Sequence, residues 1–174
     1  MRMNYITTFI AEFLVAVSAL LVYRLAAASL GVNCFSEYAL SRRALSLLQP
    51  ALILGLGVGL PRYIAYSLRP GKDDSDLYFV SGIWLILSSI SISLMVLNLV
   101  NKKVAFVLFG SSYYVYLIFP LSLMLVGISF HILCYTYFQG KLLMIKANLL
   151  ETLNLAIAPL VTFWISNDVA EILM

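Results

Sequence analysis

Three ionisable residues lie inside long apolar runs of the sequence: Glu12, Arg24 and Glu151. Such groups are rare in membrane-spanning segments, where they tend to face a bundle interior or a water-filled cavity and mark a substrate or ion path. Glu12 and Arg24 are 12 residues apart, which is about 18 Å along a helix, so they cannot pair with each other. Each therefore needs water or a partner on another helix. The alternative is that all three lie close enough to an interface to be hydrated.

Two adjacent arginines, Arg42 and Arg43, precede the second apolar run. A guanidinium group binds phosphate through two parallel hydrogen bonds, so one interpretation is a cationic clamp for a phosphate-bearing substrate. The other interpretation is an anchor in the lipid headgroups. Only one of two neighbouring helical residues can face a bundle interior, and Arg43 is the candidate for a substrate path.

His131 lies in the fourth apolar run and could relay a proton, because histidine titrates near neutral pH. The alternative is a histidine that is simply hydrogen-bonded inside a bundle. Cys34 and Cys134 form no CxxC motif, and no Ser/His/Asp, Cys/His or HExxH spacing occurs. The sequence therefore predicts no catalytic residues, no metal site and no cofactor.

The second apolar run carries three alternating glycines, Gly55, Gly57 and Gly59. Neither the Lys-Ser/Thr of a P-loop nor a preceding strand accompanies them, so a phosphate loop is not indicated. Small residues let transmembrane helices approach closely, and we expect these glycines to pack against another helix. Pro50 and Pro61 each remove a backbone hydrogen bond and are expected to kink the same helix.

Composition sets the class of protein. Of 174 residues, 63% are apolar and 11% are charged, and the mean hydropathy is +0.99. A soluble domain has about 25% charged residues, and one of this size could not bury so much apolar surface. The chain is therefore predicted to be an integral membrane protein whose partner is the lipid bilayer. Its basic residues form no stripe, which argues against nucleic acid as a partner.

Five stretches reach the length of about 20 residues that a helix needs to cross a bilayer. The first is too long for the apolar core of a signal peptide, so we expect it to be a retained span. The predicted fold is an all-α, polytopic transmembrane helix bundle in a single membrane domain, residues 1–174. Its spans are predicted at 5–30, 44–66, 78–100, 113–138 and 147–165, with polar breaks at 31–43, 67–77, 101–112 and 139–146, the first of them a loop on one membrane face.

Several pieces of the chain are similar to one known family. The run Leu30-Gly31, Phe35-Ser-Glu-Tyr38, Ser41-Arg-Arg43, Gln49-Pro50 and Gly57 to Ala65 resembles the first loop and second helix of the polysaccharide-export flippases. These form the O-antigen flippase-like (Wzx-like) branch of the multidrug/oligosaccharidyl-lipid/polysaccharide superfamily. Leu108-Phe-Gly110, and Tyr137-Phe-Gln-Gly140 followed by Asn148, agree with the same resemblance.

The resemblance implies a transporter that moves a lipid-linked oligosaccharide, with its anionic pyrophosphate, across a bacterial or archaeal cytoplasmic membrane. It implies a cytoplasmic N-terminus, which the nearly even division of basic residues between the two faces does not decide. Arg24 and Arg43 would face a central cavity, with Glu12 as a counter-ion or proton-coupling group. The family fold has two bundles of six helices, so five spans imply an incomplete chain that needs the rest of the transporter or polysaccharide-assembly proteins.

Two alternatives stay open. A drug or cation exporter of the same superfamily would rely on membrane-embedded acids rather than on cavity arginines. A non-transporting scaffold or assembly subunit of polysaccharide synthesis would need helix packing but no substrate path. An enzyme is not predicted, because the sequence has no catalytic constellation.

Overall fold

The computed structural model describes the backbone of residues 2–69 and 72–173 and the side chains of residues 5–68 and 74–165. Nearly all of the described backbone is helical, apart from one short pairing of two-residue strands, β1 (Leu68–Arg69) and β2 (Lys72–Asp73). The α-helices are α1 (Arg2–Ser29), α2 (Gly31–Ile53), α3 (Leu56–Ser67), α4 (Ser75–Leu99), α5 (Asn101–Phe109), α6 (Ile118–Gly140), α7 (Met144–Glu151) and α8 (Ala158–Leu173). A 3₁₀ turn (Ser112–Leu117) precedes α6, and a π turn (Thr152–Ile157) joins α7 to α8.

Five helical segments are long and apolar enough to cross a membrane, which confirms the predicted all-α polytopic class. Large apolar side chains such as Phe9, Trp84 and Phe119 are about 70% exposed, as expected of surfaces that lipid covers. The protein is therefore a multi-pass membrane protein. The five segments are Tyr5–Ser29, Gly31–Ser67, Ser75–Leu99, Ser112–Gly140 and Met144–Ile165.

The predicted loop at residues 31–43 is wrong in its conformation, because this stretch is helical. Gly31 has a φ of 70° and closes α1, and α2 begins at that same residue. The polar residues of the stretch include Glu37, Arg42 and Arg43, and glutamate and arginine are good helix formers. Polarity here marks where a helix leaves the hydrocarbon and not where the helix ends. The break predicted at 101–112 likewise contains a short helix, α5.

The second span is interrupted at Leu54 and Gly55, where α2 stops and α3 starts. Both residues have positive φ, 52° for Leu54 and 74° for Gly55. The predicted kink sites, Pro50 and Pro61, lie inside the flanking helices instead. Pro50 removes one backbone hydrogen bond a turn before the break, and Gly55 accepts the left-handed conformation at no steric cost.

The described residues cluster into two compact units, and the prediction of a single membrane domain stays a prediction. The larger unit is residues 37–142, in which α3, α4 and α6 pack around the fully buried side chains Ile64, Ile86 and Leu121. The smaller unit joins residues 1–36 to residues 143–174, so that α1 packs against α7, the π turn and α8. The first and last spans of the chain are therefore neighbours.

Candidate functional site

The structure brings two of the predicted site residues together, Glu12 on α1 and Glu151 at the end of α7. Their carboxylates lie close enough to repel each other. Glu12 is exposed, whereas Glu151 is half-buried, and its Oε2 atom is buried without a hydrogen-bond partner among the described residues. Two carboxylates in the same unit are candidates for taking up a proton or a cation.

Polar side chains continue on both sides of this carboxylate pair. Asn148, one turn before Glu151, is buried and donates from Nδ2 to Thr8 Oγ1 at 3.1 Å and to Thr7 Oγ1 at 3.3 Å. On the other side, Ser18 Oγ donates to the Ala156 carbonyl at 2.8 Å. We call this row the polar seam. Its members are Thr7, Thr8, Glu12 and Ser18 on α1, Asn148 and Glu151 on α7, and the Ala156 carbonyl in the π turn.

The π turn that follows Glu151 has a local cause in the sequence. Pro159 has no N–H to donate to the preceding turn, and its ring would clash with the carbonyl one α-helical turn earlier. Widening the helix before Pro159 relieves that clash, and Ser18 satisfies the carbonyl of Ala156 within the widened turn. Single π turns inside α-helices are frequent at functional sites, and this one adjoins the polar seam.

Arg24 lies on α1 but is not part of the carboxylate pair. It stays about 18 Å along the helix from Glu12, as its spacing requires. Its side chain is exposed and forms no ion pair with any residue that the structure describes. It lies five residues before the end of α1, so its stem can carry the charge toward the interface.

Arg43 and His131 belong to the larger unit. Arg43 is exposed on α2, and within the described side chains its guanidinium has no carboxylate partner. His131 is half-buried on α6 and stacks on Tyr135 one turn later, with 6.2 Å between the ring centroids. This stacking agrees with the alternative of a structurally packed histidine, and the proton relay stays a prediction.

The packing role of the alternating glycines stays a prediction, and within the larger unit no neighbouring helix fills the space beside them. No described atom lies within 4 Å of a Cβ placed on Gly55, Gly57 or Gly59. The glycines that permit close approach are two others, Gly82 and Gly140. A Cβ on Gly140 would lie 2.7 Å from Ile64 Cβ, and one on Gly82 would lie 3.1 Å from a methyl of Leu60. Gly55 serves the left-handed break instead.

Sequence reasoning missed a polar cluster at one end of α4 and α6. Asp76 Oδ1 accepts hydrogen bonds from Lys141 Nζ and from the Tyr137 hydroxyl, each at 3.1 Å. The Lys141 ammonium also lies 4.8 Å from the centroid of the Tyr137 ring. Hydrogen bonding raises the pKa of Lys141 above its ordinary 10.5. Tyr137 has the larger effect and Asp76 the smaller. Asp76 and Lys141 are 65 residues apart, and only their positions at the ends of apolar runs hinted at the contact.

The serines of α4 form two kinds of hydrogen bond. Ser81, Ser88 and Ser91 donate to carbonyls of α4 itself. Ser89 differs, because its Oγ donates to the Leu52 carbonyl of α2 at 2.7 Å. This bond reaches the backbone just before the interruption of the second span.

Comparison of the chain with protein-family models, with curated proteins and with solved structures finds no match. The arrangement is therefore interpreted from its own chemistry. Two features of the described chain bear on function: exposed arginines without ion-pair partners on apolar helices, and a carboxylate pair within a polar seam.

Proposed function

We propose that the chain is part of a flippase that moves a lipid-linked oligosaccharide across a bacterial or archaeal cytoplasmic membrane, with its N-terminus in the cytoplasm. Arg24 is the observation that carries the proposal. An arginine within a membrane-length helix is costly unless an anion or water meets it, and Arg24 has no ion pair among the described residues. A pyrophosphate-linked lipid supplies that anion near the interface that the Arg24 side chain can reach.

The chemistry of Arg24 and Arg43 fits a sugar-phosphate headgroup. A guanidinium group presents paired donors that match two phosphate oxygens and stays charged at any physiological pH. Both side chains are exposed in their own units and open to a ligand. The motif resemblance around Leu30 to Ala65 supports the same substrate class.

A second candidate, a cation-coupled drug exporter, is favoured by a different observation. The pair of Glu12 and Glu151, with the buried Oε2 of Glu151 lacking a hydrogen-bond partner in the described chain, could take up a proton or a cationic substrate. Exporters of this kind would depend on the acids and not on Arg24.

One experiment separates the two. Variants Arg24→Ala, Arg43→Ala, Glu12→Gln and Glu151→Gln are introduced into the full transporter in its source cell, and surface polysaccharide and drug resistance are measured. Loss of charge-assisted hydrogen bonds worth about 1.5–3 kcal/mol should reduce polysaccharide export roughly 10- to 100-fold in the arginine variants. Arg42→Ala is the matched control for Arg43→Ala, because adjacent residues face different sides of α2.

The outcomes are distinct. Loss of drug resistance in the glutamine variants, with normal polysaccharide in the arginine variants, would favour the exporter. Undiminished polysaccharide and resistance in all four variants would reject both transport proposals and leave the scaffold.

A further inference from the structure

The interruption of the second span is specified by the residues around it. Leu54 and Gly55 are consecutive and both have left-handed φ, 52° and 74°. A leucine adopts this conformation rarely, because its Cβ crowds the following carbonyl oxygen. The side chain of Leu54 is 64% exposed, so core packing does not explain why it is held there.

A break within a membrane-length helix leaves backbone groups without their intrahelical partners. Water is scarce at that depth, so the protein itself has to satisfy them. Ser89 on α4 does so for one group, since its hydroxyl donates to the Leu52 carbonyl at 2.7 Å. Gly55 is the N-cap residue of α3 and has no side chain that could cap the freed N–H groups.

Open space lies on both sides of the Ser89 bond. A half-open cavity of about 250 Å³ lies beside the break, next to the α3–α4 contact, and is lined by Leu54, Gly55, Tyr63 and Tyr78 among others. A second cavity of about 200 Å³ lies between α2 and α4, next to Leu48 and Ile92. Both spaces are half-open and hold no described side chain, so they leave room for a helix to move.

The two halves of the span are held differently. α3 is fixed on α6, because Gly140 admits Ile64 and the backbone of Pro61 at close range. α2 faces α4 across the second cavity. Near the break, the Ser89 hydroxyl of α4 donates a hydrogen bond to the Leu52 carbonyl and so ties α2 to α4.

We propose that Leu54 and Gly55 form a hinge in the second span, on which α2 tilts relative to the fixed α3. The hydrogen bond from Ser89 to the Leu52 carbonyl latches the observed conformation. Release of this bond lets α2 move into the space beside α4, while α3 stays packed on α6. This inference concerns the part of α2 that belongs to the larger unit, residues 37–53, and does not depend on which substrate the protein carries.

The test measures distances across the hinge by pulsed electron spin resonance in lipid nanodiscs. Spin labels are placed at Leu47 on α2 and Tyr63 on α3, which are 63% and 60% exposed, after Cys34 and Cys134 are replaced by serine. The labelled sites are about 24 Å apart along a straight helix, a distance within reach of the method. The distance distribution is compared between the parent protein and Ser89→Ala.

Ser89→Ala is expected to raise the population at a second distance, relative to the population at the parent distance, roughly three- to tenfold. Loss of one hydrogen bond changes an equilibrium constant by about this factor. Ser89→Thr keeps the hydroxyl and should restore the parent distribution. Ser91→Ala is the matched control, because Ser91 lies on the same helix but donates to its own Leu87 carbonyl.

Superimposable distributions for the parent and Ser89→Ala would overturn the hinge and leave a static kink. An equal shift in Ser91→Ala would also overturn it, because the effect would then be general to α4. A second measurement needs no variant. Amide hydrogen exchange at residues 54–57 as slow as that in the middle of α4 would contradict the hinge.

Discussion

Asn148 is a buried polar residue that ties α7 to α1. It is 5% exposed and donates hydrogen bonds to Thr7 and Thr8 on α1. A buried amide that loses its partners is costly, and one whose partners are met fixes the register of two helices. The polar seam therefore sets how far α1 can slide or rotate against α7.

Asn148→Ala should lower the free energy of unfolding by about 1 kcal/mol, within the range measured for hydrogen bonds between transmembrane helices. The measurement is unfolding of the purified protein in mixed micelles with increasing sodium dodecyl sulfate, followed by tryptophan fluorescence. Asn98→Ala is the control, because Asn98 is exposed and donates only to the Leu94 carbonyl of its own helix. Equal effects of the two changes would show that the seam contributes nothing beyond local helix stability.

At this scale the sequence revealed which residues are unusual but not which of them meet. Glu12 and Glu151 stand out because each is a charge in an apolar run. Their proximity depends on the register of α1 against α7, which the Asn148 contacts and the π turn before Pro159 set. No local pattern encodes that register, because the contacting residues are about 140 positions apart.

Among the helices, two isolated glycines admit close contact with a neighbouring helix. Gly140 sits against Ile64 and Pro61 of α3, and Gly82 against Leu60. Glycine in a helix interior costs about 1 kcal/mol relative to alanine. This cost is offset where the missing side chain lets another helix pack closely, and it is not offset where the glycine has no neighbour. The neighbours of each glycine distinguish the two cases.

Gly140→Ala should destabilise the larger unit by about 1–3 kcal/mol, because the new Cβ would lie 2.7 Å from Ile64 Cβ and force α3 away from α6. Gly127→Ala on the same helix meets nothing within 4 Å and should be neutral or stabilising by up to about 1 kcal/mol. The same unfolding measurement checks both variants. A neutral Gly140→Ala, or a loss in Gly127→Ala as large as in Gly140→Ala, would contradict the packing described here.

The existence and type of the elements could be predicted, whereas their ends and contacts could not. Apolar runs of about 20 residues with few charges satisfy their backbone groups in lipid by forming helices, and all five were found as helices. The stretch 31–43 was expected to be a loop because it is polar, yet polarity outside the hydrocarbon does not oppose a helix. The alternating glycines were expected to pack because small residues let helices approach closely. Their spacing alone does not tell which face of a helix meets a neighbour.

Across the larger unit, the Asp76–Lys141 contact defines one membrane face. Asp76 lies at the start of the third span, and Lys141 follows the end of the fourth. The two residues can meet only if the third and fourth spans run in opposite directions. The ion pair thus agrees with two successive crossings in opposite directions by the third and fourth spans.

Cysteines introduced at Asp74 and at Leu142 should therefore react with a membrane-impermeant maleimide from the same side. A cysteine at Lys102 should react only from the other side. All three positions are exposed. The measurement uses intact cells and inside-out vesicles after Cys34 and Cys134 are replaced by serine. Labelling of positions 74 and 142 from opposite sides would contradict two full crossings between them; the proposed orientation places both in the cytoplasm.

The pairing of the first span with the last has a consequence for how the protein is made. Thr7 bonds to a residue 141 positions later, so α1 enters the membrane well before its partner has been translated. At about 5–20 residues per second, the wait is roughly 7 to 30 s. During that time Glu12 and Ser18 face lipid or an insertion chaperone without α7 and the π turn. The smaller unit can therefore assemble only after α7 and the π turn have been made, and until then the polar groups of α1 have no partners within this unit.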